Sequence, residues 1–159
     1  MGVFGRISRA SRLMERQIEA IFSSHNLQGG RFDVLAALRR AGPPHVLSPT
    51  NLYNSLLITS GAMTHRLDHL ERAGLIERIP HPNDGRGSLV KLTPAGAEAL
   101  DAALEEHLEN EHRLIAALEP DDREALAALL HNLLVALGDT GEPAPADEAS
   151  QEGQSGSNP

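Results

Sequence analysis

The side chains best placed for chemistry are two hydroxyls and two imidazoles, Ser60, Thr64, His65 and His69. They share one segment with Met63, Leu67 and Leu70. A helix there turns the three apolar residues inward and leaves the polar four facing out or flanking. Donors and acceptors of this size suit the edges of bases and the oxygens of phosphates. The spacing therefore predicts base or phosphate contacts for Thr64, His65 and His69, and a phosphate contact for Ser60 near the positive end of the helix. The alternative is an ordinary solvated face. A second candidate is Arg86, in the run Pro82-Asn83-Asp84-Gly85-Arg86-Gly87. Asp84 can pair with it across a turn and hold it at a loop tip, where an Arg can enter a narrow minor groove. An exposed pair with no further role is the alternative. Lys91, further along the same segment, is a candidate backbone contact.

Other chemistries find little support. His107 and Glu111 share a helical face and His112 lies one step round, but a closed metal site needs four ligands and no compact set stands out. No metal and no cofactor is predicted. There is no nucleophile-elbow, phosphate-loop, dinucleotide or zinc-protease pattern. With no cysteine, a disulfide framework, a thiol nucleophile and a thiol switch are all excluded. The chain does not read as an enzyme.

These residues need elements to position them. Residues 3–24 read as an amphipathic helix with Phe4, Ile7, Met14, Ile18 and Ile21 at three-to-four-residue spacing. A second helix spans 31–40. Ser48-Pro49 starts a third, with Leu52, Leu56 and Leu57 as its apolar residues. The fourth runs from about Ser60 to Arg72, and Gly74 ends it. Residues 75–79 and 88–92 read as two strands of a hairpin with a long loop between them. Thr93-Pro94 caps a helix running to about Leu118, ~37 Å long. Pro120 opens a last helix to Leu137. Residues 139–159, rich in Gly, Pro, Ser and acids, read as a disordered acidic tail.

Two short helices joined by a tight turn and followed by a hairpin form a winged helix-turn-helix. The fold class is all-α with a small β-wing. The long helix outruns a small wing domain, and the apolar face of residues 3–24 also needs covering, so the expected assembly is an intertwined helical homodimer. Residues 1–47 and 94–138 form the expected dimerisation region and 48–93 the DNA-binding region.

The net charge of −8 looks wrong for a DNA binder until it is mapped. Residues 101–124 carry nine acids and two bases, whereas 1–47 carry seven bases and three acids. The acid is concentrated away from the reading elements, and weak binding to non-specific DNA follows. Aromatics make up 3% of the chain, which argues against stacking on single strands. No apolar run approaches the ~20 residues of a membrane span and no signal-peptide pattern is visible, so a cytoplasmic protein is expected.

Residues 48–96 resemble the MarR family of bacterial regulators. The likeness is carried by Leu47-Ser48-Pro49-Thr50-Asn51-Leu52, by the stretch from Ser60 to Ile76, by Asp84-Gly85-Arg86, and by Leu92-Thr93-Pro94-Ala95-Gly96. The family often has Arg where this chain has Gly85, which removes one phosphate contact from each wing. Gly30-Arg31-Phe32-Asp33-Val34-Leu35, with Arg66 and Arg78, further resembles the urate-responsive, PecS-like branch. There an Asp and two Arg at matching positions help bind an anionic ligand between the dimer and DNA-binding lobes. The resemblance thus implies Asp33, Arg66 and Arg78 as ligand-binding residues; a structural ion-pair network joining the lobes is the alternative. The branch also uses a Trp that this chain lacks, so a small carboxylate held by guanidinium forks fits better than a stacked purine-like anion. Together these readings imply a ligand-responsive repressor that binds a pseudo-palindromic operator in double-stranded DNA as a dimer. The competing reading is a winged helix used only for dimerisation and protein docking.

Overall fold

Small polar caps and well-placed prolines fix where the last four helices start. The computed structural model describes residues 2–139; the remainder of the expected acidic tail, from 140 on, lies outside the described residues. Helices α1 (Val3–Ser24) and α2 (Arg31–Arg40) flank a turn in which Asn26, Gly29 and Gly30 take positive φ. Strand β1 (Val46–Leu47) follows. The Ser48 side chain accepts from the Asn51 N–H to cap α3 (Pro49–Ser55), and Thr59 accepts from Ala62 to cap α4 (Ser60–Arg72). Gly74, at φ 74°, supplies the left-handed residue just past α4. Then come β2 (Ile76–His81), β3 (Asp84–Leu92), α5 (Pro94–Leu114) and α6 (Pro120–Ala136).

The strands form one antiparallel sheet in the order β1-β3-β2, with Leu47 opposite Val90 and Ile76 opposite Leu92. Leu35 and Leu38 of α2, Leu52 of α3, Met63 and Leu67 of α4 and Val90 of β3 meet in a single core. Leu100 and Ala103 extend it onto α5, and Phe22 onto α1. Arg39 ties α2 to α5, donating to the Ala97 carbonyl at 3.2 Å and pairing with Asp101 at 3.0 Å.

The structure revises several expected boundaries. α3 stops at Ser55; Leu57 leaves the helix with φ 54° and is 80% exposed, so it is a turn residue rather than part of the apolar face. α5 ends at Leu114, giving 21 residues, or about 31 Å, in place of ~37 Å. The hairpin loop is short, because β3 already begins at Asp84 and His81 pairs with it across Pro82-Asn83. β1 was not expected, since two residues carry no alternation to read. α2 and β1, assigned by sequence to the helical region, contribute to the winged core.

The remaining apolar surface is uncovered by the described residues. α6 buries none of its residues, and Phe4, Leu13 and Met14 of α1 are exposed. Among the described residues no helix is long and apolar enough to cross a membrane.

Candidate nucleic-acid interface and the adjoining cleft

α4 presents its polar side outward. Met63, Leu67 and Leu70 are buried, while Ser60, Thr64, His65 and His69 are all exposed. The Thr64 hydroxyl donates back to the Ser60 carbonyl at 3.0 Å, which leaves its methyl group and oxygen lone pairs for any partner. His65 and His69 stand edge to face, ring centroids 6.1 Å apart. One neighbour was missed at the level of sequence. Arg31 donates to the carbonyls of Gln28 at 2.7 Å and Asn26 at 3.2 Å, and its guanidinium reaches within 3.5 Å of His69 Nδ1. Arg31 sits 38 positions from His69, and nothing in the local pattern links them.

The wing tip is built around Asp84. Pro80 pairs with Ser88 but His81 pairs with Asp84, so Gly85, Arg86 and Gly87 bulge from β3. The Asp84 carboxylate accepts from the Arg86 backbone N–H at 3.0 Å. It therefore shapes the loop, and does not pair with the guanidinium as expected. The exposed Arg86 side chain makes no hydrogen bond or ion pair among the described residues. A Cβ on Gly87 would press on Asp84 Oδ2 at 3.0 Å, so the bulge packs tightly only with glycine there. Lys91 is elsewhere. It pairs with its cross-strand neighbour Glu77 at 3.1 Å and flanks β1, away from the tip.

A compact latch sets the angle between wing and helices. Thr93 Oγ1 donates to the Gly74 carbonyl at 2.7 Å and accepts from the Gly96 N–H at 3.0 Å. The Thr93 N–H donates to the Leu75 carbonyl at 3.2 Å. A Cβ on Gly96 would overlap that same carbonyl, so the Leu-Thr-x-x-Gly signature is a close approach of two backbones.

Behind this face, α1 and the start of α2 enclose an open cleft of about 1130 Å³ lined by Glu15, Arg16, Glu19, Gly30, Asp33 and Arg66 among others. Glu19 accepts from the Gly29 N–H at 2.6 Å and holds the α1–α2 turn against α1. Arg66 donates to the Gly30 carbonyl at 3.4 Å, and a Cβ on Gly30 would overlap its guanidinium. Gly30 also has φ 75°, so the backbone there favours glycine, and a Cβ would move the Arg66 guanidinium. The Asp33 side chain opens into the cleft, yet surrounding protein strips enough water from it to raise its pKa. Arg66 and Arg40 oppose that rise without cancelling it.

Of the three residues implied as ligand-binding, the structure brings together Asp33 and Arg66. Arg78 lies on β2 and is gripped by two acids of α4, Asp68 at 2.7 Å and Glu71 at a shorter distance. Burial works against its charge, but the hydrogen bonds it donates to Asp68 and Glu71 outweigh burial and hold its pKa above the usual value. The His107 ring packs against Phe22 and Phe32, at 5.0 and 5.4 Å, and reaches Glu111 at 3.1 Å. It is mostly buried, as a core residue would be.

Comparison with known proteins agrees with this architecture. Residues 25–87 match the MarR family. The chain is 38% identical over 130 residues to the HTH-type transcriptional regulator PecS of Dickeya dadantii, covering 82% of this chain and 78% of that protein. It is 36% identical over 121 residues to the multiple antibiotic resistance protein MarR of Salmonella typhimurium, covering 76% and 82%. A mutant MarR from E. coli, solved in complex with operator DNA, superposes with a TM-score of 0.74 at 32% identity, covering 82% of this chain and 92% of that one. The polar-faced α4, the bulged wing and the Thr93–Gly96 latch thus stand in a chain that belongs to the MarR family of transcriptional regulators, and not to an enzyme family.

Proposed function

We propose that this chain is a cytoplasmic, homodimeric repressor that binds a pseudo-palindromic operator in double-stranded DNA. The observation that carries this reading is the pairing of an exposed polar face on α4 with an unpaired Arg86 at the wing tip. α4 enters a major groove, with Thr64, His65 and His69 at base edges or phosphates and Ser60 at a phosphate. Arg86 enters the flanking minor groove. Lys91 has an acidic partner already, so its contribution to a phosphate contact is the weakest of the set. α1, α5 and α6 form the dimerisation region. The two-fold axis sets the two reading helices about one turn of DNA apart, ~34–36 Å.

The cleft takes a small anionic effector, best a carboxylate. Arg66 offers its guanidinium to the anion, which displaces Asp33 from the field of that cation. Arg78 acts structurally, because two α4 carboxylates would have to be released before a ligand could use it. The effector weakens operator binding to the extent that it favours the DNA-incompetent spacing of the reading helices.

The test is a titration against the intergenic DNA beside the chain's own reading frame, at two salt concentrations. Binding at least ~10³-fold tighter than to random DNA is expected for a specific site. Arg86→Ala is expected to weaken it about tenfold and to flatten the salt dependence by about one unit per wing. His65→Ala is expected to lose ~1–3 kcal/mol and to relax specificity at one position per half-site. A folded dimer that binds the operator no better than random DNA would sink the proposal.

A further inference from the structure

His65 and His69 are four residues apart on α4, the spacing that stacks two side chains on one face of a helix. Both are exposed, and their rings already stand 6.1 Å apart between centroids. Two imidazoles at this spacing are the pair that anchors zinc in His-x-x-x-His helices. Imidazole nitrogen is a good ligand for Cu²⁺, Zn²⁺ and Ni²⁺ alike. The helix is already formed, so chelation requires only side-chain rotation.

We propose that the outward face of α4 carries an exchangeable cation site in which His65 and His69 chelate one borderline divalent ion. Water completes the coordination. Among the described residues no group of three or more metal-type ligands gathers, so this is an open two-ligand site and not a closed structural one. The opposing interaction is weak. The Arg31 guanidinium faces His69 Nδ1 at 3.5 Å, the limit of a hydrogen bond, and keeps its bonds to Gln28 and Asn26 if that contact breaks. His69 Nε2 has no partner among the described residues. The nearby acids Asp68 and Glu71 are taken up by Arg78. Attraction from surrounding charge is therefore slight, and selectivity follows the intrinsic order for nitrogen ligands, with Cu²⁺ tightest.

The consequence rests on the reading of α4 as the groove-facing helix. A hydrated cation clamped between the two rings takes one nitrogen of each, fixes their rotamers and fills the outward face of α4, so cation and operator compete for that face.

The test uses untagged full-length chain, stripped with chelator, titrated with Cu²⁺ and followed by electron paramagnetic resonance. One Cu²⁺ per chain with a two-nitrogen pattern is expected. His65→Ala and His69→Ala should each weaken binding about tenfold or more and remove that pattern, because each destroys the chelate. His112→Ala, on α5, should change nothing. Binding untouched by either α4 substitution, or sensitive to one alone, would overturn the site. With the site in place, excess operator should lower Cu²⁺ affinity by the same factor that Cu²⁺ lowers operator affinity. Chelation indifferent to operator would uphold the site and refute the groove-facing reading of α4.

Discussion

α4 and α6 are both leucine-bearing helices, and the fold treats them in opposite ways. α4 keeps Met63, Leu67 and Leu70 at 1–2% exposure, whereas Leu129 and Leu134 of α6 are 67% and 46% exposed. The residues are alike in chemistry. What differs is the neighbour: the stripe of α4 meets α2 and α3 of its own chain, and α6 buries nothing. An apolar stripe reports that a helix needs a cover, and only the tertiary arrangement tells whether that cover is intramolecular. Exposed leucines of this kind are what an interface needs, and in the proposed dimer a second copy of the chain would cover them with the same patch on both sides.

The contrast can be broken most forcefully on α6. Leu129→Asp combined with Leu133→Asp enters a two-fold interface twice over. At ~1 kcal/mol or more for each of the four anchors in a dimer, the dimer dissociation constant should rise about a thousandfold or more. Sedimentation equilibrium reads this directly, and an unchanged dimer would remove α6 from the interface. The matching change on α4, Leu67→Ala, should leave the assembly dimeric while lowering stability by about 2–5 kcal/mol in urea denaturation. A loss well below that range would mean that the α4 stripe is not core.

A smaller effect separates the cleft from both helices. Burial raises the Asp33 pKa in the folded chain, so the folded state holds that proton more tightly than the unfolded state does. Stability should therefore fall as pH rises from the ordinary carboxylate range through the folded pKa, and remain lowered above it. Asp33→Asn abolishes this dependence. Thermal melts across that range should show the variant gaining on the parent as pH rises, and parallel curves would show that the carboxylate is not strained.

Much of this was legible in the sequence where a local rule suffices. Ser48 caps α3 through its own hydroxyl, Pro94 sits in the first turn of α5, and Gly74 ends α4, so these ends were readable from neighbours alone, whereas the C-terminal ends of α3 and α5 were not. The polar face of α4 followed from Met63, Leu67 and Leu70. The rest depended on residues distant in the chain. Arg78 looked available for a ligand because Asp68 and Glu71 reach it only when β2 folds back beside α4. The Arg66 guanidinium over Gly30 spans 36 positions. β1 exists only because β3 offers it an edge, and the Arg86 bulge is a matter of strand register, which composition does not encode.

The Thr93 hydroxyl has a mechanical consequence. One oxygen joins the exit of α4, through Gly74, to the entry of α5, through Gly96, with the wing leaving from the adjacent Leu75. Three elements that would otherwise hinge separately share one axle. A tilt of α5 is thereby passed to the exit of α4 and to the start of the wing together. With α5 at the dimer face, as proposed, the spacing of two such heads would be geared to how two α5 helices lean on each other.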